Sequence, residues 1–345
     1  MSIRATLTAA VAALGCAALL VAGSPAAGAS PATADHRGRQ HCVRSLSPGQ
    51  QVVTVSFGGQ RYPVRVFVPA GVPVRESLPL VLDLHGSSAN GTVQAGISDL
   101  AVVAEREKFL VANPSGAIPL PATPPLAEGS WAWNVPGVPT TAGQFPPPGS
   151  RDDLAFLAAV VAELDRAACV DERRVFATGF SGGGRMASAL ACARPDLIAA
   201  VAPVAGLRAG RPSPQDTSVP EVQDCTPGRP VPVITFHGDA DLVNPILGSA
   251  DLRWGYPVSV AVQTWARING CRVGPTATPV SAHVTRFAYD HCRQLADVEY
   301  YRVAGGGHTW PGTDADLTGL GPVTQEINAS TLIWEFFAAH PRRGR

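Results

Sequence analysis

Apolar residues alternate with polar ones at 51–57 and again at 62–68, and Gly58-Gly59 stands between the two stretches. That pattern predicts a β-hairpin with one half-buried face. At 78–85 the alternation gives way to a nearly continuous apolar run, Leu78-Pro79-Leu80-Val81-Leu82-Asp83-Leu84-His85, as a strand buried on both faces requires. Runs of the same kind recur at 109–112, 174–180, 199–205 and 231–237. Helical periodicity fills the intervals most clearly at 152–167. There Leu157, Val160, Val161 and Leu164 mark one face, and Asp152-Asp153 supply the acidic start. Strand alternating with helix predicts an α/β fold with a mainly parallel central sheet flanked by helices. No internal repeat is visible. The Pro/Gly-rich stretch 117–150 reads as a long loop over the working edge of the sheet, because buried elements continue on both sides of it.

Composition adds that the chain is globular: 345 residues, 46% hydrophobic, 16% charged, with formal net charge zero. Lys and Arg cluster only at Arg342-Arg343-Gly344-Arg345, which is expected to be a solvated end, so nucleic acid is not an expected partner. Residues 1–29 have the basic start, apolar run and small-residue cleavage site of a secretory signal peptide, with cleavage after Ala29. Lipidation at Cys16 is the alternative, and nothing later is long and apolar enough to span a membrane. Residues 30–48 read as a flexible lead-in and 49–345 as one catalytic domain, expected to act as a monomer outside the cell.

Export changes the meaning of the cysteines. Six of the seven remain after the signal, an even number, and none forms Cys-x-x-Cys, so disulfides are expected and a metal or redox site is not. Cys271 and Cys292 would close a local loop. Cys169 and Cys192 are expected at the same lower edge of the sheet, which leaves Cys42 with Cys225.

The candidate chemistry centres on Gly179-Phe180-Ser181-Gly182-Gly183, where a β-branched run meets Gly-x-Ser-x-Gly and then a helix. A serine on a sharp strand-to-helix turn needs neighbours without side chains, which Gly179 and Gly183 provide. A hydroxyl becomes a nucleophile only when a histidine takes its proton, and that histidine needs a carboxylate to hold its tautomer. His308 follows the Gly305-Gly306-Gly307 turn, and Asp239 and Asp241 both follow His237-Gly238 at a strand end. Asp241 is preferred, since Asp239 could serve its own turn. His237 reads as a packed strand-end residue. Backbone N–H groups of Gly182 and Ser87 are the expected oxyanion donors. No cofactor is needed.

These pieces resemble the secreted α/β-hydrolase esterases grouped with polyhydroxybutyrate depolymerases and feruloyl or acetylxylan esterases. The likeness rests on Leu84-His85-Gly86-Ser87, Cys169-Val170-Asp171, Gly179-Phe180-Ser181-Gly182-Gly183, Ala202-Pro203-Val204-Ala205-Gly206, His237-Gly238-Asp239-Ala240-Asp241 and Gly306-Gly307-His308-Thr309-Trp310-Pro311-Gly312. It implies a carboxylic-ester substrate, small or polymeric, and supports Asp241 over Asp239. Gly184 departs from many relatives, which carry a bulkier residue there, and is expected to alter the bottom of the acyl pocket. Trp131, Trp133 and Trp310, with Phe180 beside the serine, are candidates for stacking on a substrate ring, while Trp254 reads as core. A serine peptidase or acyltransferase would use the same trio, and a polymer-binding protein would use the aromatic loop without turnover.

Overall fold

The computed structural model describes residues 42–343. The expected signal peptide, Cys16 and the first part of the lead-in lie outside the described residues. In chain order the elements are β1 (Gly49–Phe57), β2 (Gln60–Val68), β3 (Leu78–Leu84), α1 (Gly91–Ser98), α2 (Leu100–Glu107), β4 (Leu110–Asn113), β5 (Ile118–Pro119) and β6 (Trp131–Ala132). They continue with α3 (Asp153–Ala168), β7 (Val170–Phe180), α4 (Gly182–Ala193), β8 (Val201–Val204), β9 (Val233–Gly238), α5 (Val258–Asn269), β10 (Val273–Pro279), β11 (Val284–Asp290), β12 (Val298–Val303) and α6 (Ala329–Ala339).

Ten strands form one sheet in the order β1-β2-β4-β3-β7-β8-β9-β12-β11-β10. The pairs from β4 through β12 are parallel, and the strands beyond them on either side are antiparallel. This is the α/β-hydrolase arrangement. Every residue of β3 is buried, as its unbroken apolar run requires. Strand alternation divides it between two cores: Leu80, Leu82 and Leu84 join Phe156, Leu190 and Trp265 on one face, and Val81 joins Phe176, Trp334 and Phe337 on the other. In α3 the Asp152 carboxylate accepts the Ala155 N–H at 3.0 Å, so the acidic pair does start that helix. β10 was invisible to pattern reading because all of its residues are exposed and only its pairing with β11 makes it a strand.

Three expectations are corrected. Residues 42–48 are not a loose lead-in: Arg44 N–H donates to Val74 O, Ser45 N–H to Ala167 O, and Cys42 is bonded to Cys169. The pairing of Cys169 with Cys192, and of Cys42 with Cys225, gives way to Cys42–Cys169 and Cys192–Cys225, whereas Cys271–Cys292 forms as expected. A shared sheet edge is too coarse a criterion, because a bridge needs Cα atoms about 4–7 Å apart. The segment that comes that close to Cys169, at 5.7 Å, is the lead-in running along the end of α3. The terminal Arg342 is not simply solvated, since its backbone and guanidinium donate to the carbonyls of Arg173 and Glu172. Among the described residues no helix is long and apolar enough to cross a membrane.

Candidate active site

β7 delivers Ser181 to a turn whose backbone sits at φ 55°, ψ −113°, a conformation costly for a residue with a side chain. The surroundings hold it there. Ser181 N–H donates to Val204 O at 2.9 Å, and Ser181 O accepts Arg185 N–H at 3.0 Å. The glycine requirement is physical: a Cβ on Gly183 would stand 2.0 Å from Leu84 O, and one on Gly179 would stand 2.6 Å from the Gly183 carbonyl carbon. Gly184 packs in the same way, with the Gly206 Cα and the carbonyls of Gly179 and Val204 all 3.1 Å from its Cβ position. It therefore seats α4 against β8.

The end of β9 and the loop after β12 meet backbone to backbone, since a Cβ on Gly238 would lie 2.1 Å from Gly306 O. That contact brings Asp241 and His308 together. His308 Nδ1 lies 2.7 Å from Asp241 Oδ2, and both side chains are buried. The other carboxylate oxygen accepts the N–H groups of Val243 and Asn244 at 2.9 and 2.7 Å. A proton on Nδ1 directed at the carboxylate leaves Nε2 as the basic nitrogen. Asp239 is elsewhere, accepting from Arg302 and the Gly305 N–H. Phe180, next to the serine, lays its ring on His308 with centroids 4.9 Å apart. No hydrogen bond joins Ser181 to His308 among the described residues, as is common where that contact tightens only around substrate.

Ser87 lies against Gly182: its Oγ and N are 2.7 and 3.2 Å from the position of a Gly182 Cβ. The two expected oxyanion donors are thus adjacent. The loop that carries Ser87 is braced by His85, whose Nδ1 donates to Gly86 O at 2.6 Å and whose Nε2 accepts Gly116 N–H at 2.9 Å. Burial lowers the His85 pKa to about 4, so the ring is neutral. His237 is likewise buried and lowered to about 4, with Nε2 donating to Asn244 O at 2.8 Å. Its place is the packed strand end. Among the described residues no three His, Cys, Asp or Glu side chains gather as a metal ligand set.

The aromatic expectations fare unevenly. Trp310 is buried in the core and donates to Ser330 Oγ, and Trp133 is buried beneath the oxyanion loop, donating to His85 O and packing on the His85 ring. Neither presents a face to substrate. Trp131 is half-buried in a groove with Tyr62, Thr92 and Glu128. Trp254 is buried, as expected, but sequence reasoning missed its place beside the site. It lies in the turn before α5 and meets His308 edge-on at 6.4 Å. Gly248, Gly255 and Pro257 around it were the available signal that this stretch is a loop.

No protein-family model matches the chain. It is 31% identical over 277 residues to "Putative esterase NocK" of Nocardia uniformis subsp. tsuyamanensis, a match covering 75% of this chain and 73% of that protein. It is 28% identical over 251 residues to feruloyl esterase B of Piromyces equi, covering 71% of this chain and 42% of that longer protein. Among solved structures, an acetyl xylan esterase from Aspergillus awamori superposes with TM-score 0.56 at 18% identity, over 84% of this chain and 99% of that one.

Proposed function

The chain belongs to the α/β-hydrolase esterase family and is a carboxylic ester hydrolase; from that premise we propose that it works through an acyl-enzyme formed on Ser181. The observation that carries this reading is the buried Asp241–His308 pair, 2.7 Å apart, beside a serine held on a strained elbow. Ser181 Oγ attacks the ester carbonyl while its proton passes to His308 Nε2. Asp241 steadies the imidazolium, and the N–H groups of Gly182 and Ser87 take the charge on the carbonyl oxygen. Collapse of the tetrahedral intermediate transfers the His308 proton to the departing alcohol. Water then attacks the acyl carbon as it gives a proton to His308, and collapse of the second tetrahedral intermediate frees the acid while His308 returns that proton to Ser181 Oγ.

The names of the relatives favour a hydroxycinnamoyl or acetyl ester of plant polysaccharide over a polyhydroxyalkanoate. The three disulfides favour an exported protein. The test is hydrolysis of p-nitrophenyl acetate, methyl ferulate, acetylated xylan and a hydroxybutyrate oligomer by wild type and Ser181→Ala. Turnover by wild type should fall by about 10⁶ in kcat for the variant. Full activity in folded Ser181→Ala would remove the acyl-enzyme reading, and the preferred ester names the substrate class.

A further inference from the structure

α4 leaves the elbow with Arg185 in its first turn, and Arg208 follows β8; both line a cavity of about 290 Å³ whose walls include Val135, Val138 and Ala189. Both guanidiniums are buried, with relative exposures of 3% and 6%. Arg185 donates only to backbone carbonyls, Arg253 O at 3.0 Å and Pro139 O at 2.8 Å. Arg208 donates to Leu207 O and to Asn244 Oδ1. Each keeps an Nε–H without an acceptor, and neither has a carboxylate partner among the described residues.

The same chain buries another arginine differently. Arg151 sits against the Phe156 ring and places Nε 2.6 Å from the Asp153 carboxylate. Arg211 and Asp224, which both line the cavity, likewise neutralise each other at 2.9 Å. Asp251, whose charge favours the Arg185 cation, is already paired with Arg253, and Asp241, which favours Arg208, is engaged by His308. Two like charges thus flank one ring, with Trp254 5.1 Å from Arg185 and 5.5 Å from Arg208. Burial, and for Arg185 also the charge of Arg208, lowers their pKa values to about 9 and about 10. Such an arrangement is costly unless an anion compensates it.

We propose that this cavity binds the carboxylate of an organic acid with an apolar body. The two guanidiniums hold the anion, and Val135, Val138 and Ala189 receive the body. The site goes beyond the esterase reading, because neither Ser181 nor His308 lines the cavity and a neutral ester carries no such charge.

The probes are cinnamate and its uncharged counterpart cinnamamide, titrated calorimetrically into wild-type protein. Cinnamate should bind at least about tenfold more tightly than the amide, because a charge-assisted hydrogen bond is lost with the charge. Arg185→Gln, shown to be folded by its melting curve, should lose most of that difference, and Arg185→Lys should keep part of it. Equal binding of acid and amide by wild type, or no binding of either, overturns the proposal without reference to any variant. So does undiminished cinnamate binding by folded Arg185→Gln. Inhibition of p-nitrophenyl acetate hydrolysis tells the two sources of the carboxylate apart. Competitive inhibition that disappears in Arg185→Gln assigns it to an acid group borne by the substrate or product, and noncompetitive inhibition assigns it to a free acid from elsewhere. Binding itself requires no turnover, so it stands or falls separately from the acyl-enzyme.

Discussion

Two carboxylates are buried at the ends of parallel strands, Asp83 in β3 and Asp241 just past β9, and they are put to different uses. Asp83 is surrounded by neutral donors: Gln94 Nε2 at 2.7 Å, Ser98 Oγ at 2.7 Å and Asn113 Nδ2 at 2.8 Å. Those bonds tie α1 and β4 to β3, whose end carries the oxyanion loop. Asp241 takes two backbone N–H groups on one oxygen and an imidazole on the other. Burial alone therefore says little about reactivity. What separates the pair is whether the partner can itself accept and release a proton.

The largest expected effect breaks the second of these arrangements. Asp241→Asn keeps an oxygen for the Val243 and Asn244 N–H groups but no longer stabilises an imidazolium or fixes its tautomer. We expect kcat to fall by about 10³–10⁴ with the melting temperature little changed. Loss of less than about tenfold, measured by steady-state kinetics on the preferred ester, would remove Asp241 from the proposed trio.

Why the strand ends were legible and their surroundings were not follows from range. Gly179 and Gly183 announce themselves through the Gly-x-Ser-x-Gly spacing around one serine, although the backbone that a Cβ on Gly183 would strike, Leu84 O at 2.0 Å, is distant in sequence. Likewise the long apolar run of β3 is enforced by burial on both faces at once. Trp310 and Trp133, by contrast, read as surface aromatics near motifs, yet each has a buried indole N–H satisfied by an oxygen distant in sequence, Ser330 Oγ and His85 O. While the local pair Cys271–Cys292 held, two of the three cysteine pairings failed for the same reason. So did the arginine cleft, since no local pattern distinguishes Arg185 or Arg208 from an exposed arginine.

A smaller effect sharpens the comparison by loosening the base's carboxylate without removing it. His237 Nε2 lies 3.3 Å from Asp241 Oδ2 while donating to Asn244 O, the residue whose N–H caps the same carboxylate. His237→Gln removes the ring that wedges this corner. Loss of one such neutral bond and the packing around it should lower kcat by about fivefold to tenfold, with KM for a small ester nearly constant. A loss as large as that of Asp241→Asn would mean that His237, not His308, handles the proton.

Asp83→Asn should have the smallest effect on turnover, within about twofold at neutral pH, and its signature lies in stability. Burial raises the Asp83 pKa to about 7, its three hydrogen bonds opposing the rise, whereas an unfolded aspartate ionises near pH 4. Between those values the native state keeps a proton that the unfolded chain has released, so ν_U − ν_N is negative and unfolding free energy declines as pH rises from about 4 to about 7. Above that window both forms are ionised and the contribution is flat. Asparagine cannot ionise, and its amide can present both an acceptor and a donor to Gln94, Ser98 and Asn113. Denaturant midpoints measured from pH 4 to pH 8 should therefore fall less steeply for Asp83→Asn than for wild type. Parallel curves would place an ionised Asp83 in the native protein across that range and erase the distinction between an acid whose ionisation burial opposes at β3 and the carboxylate that holds His308 past β9.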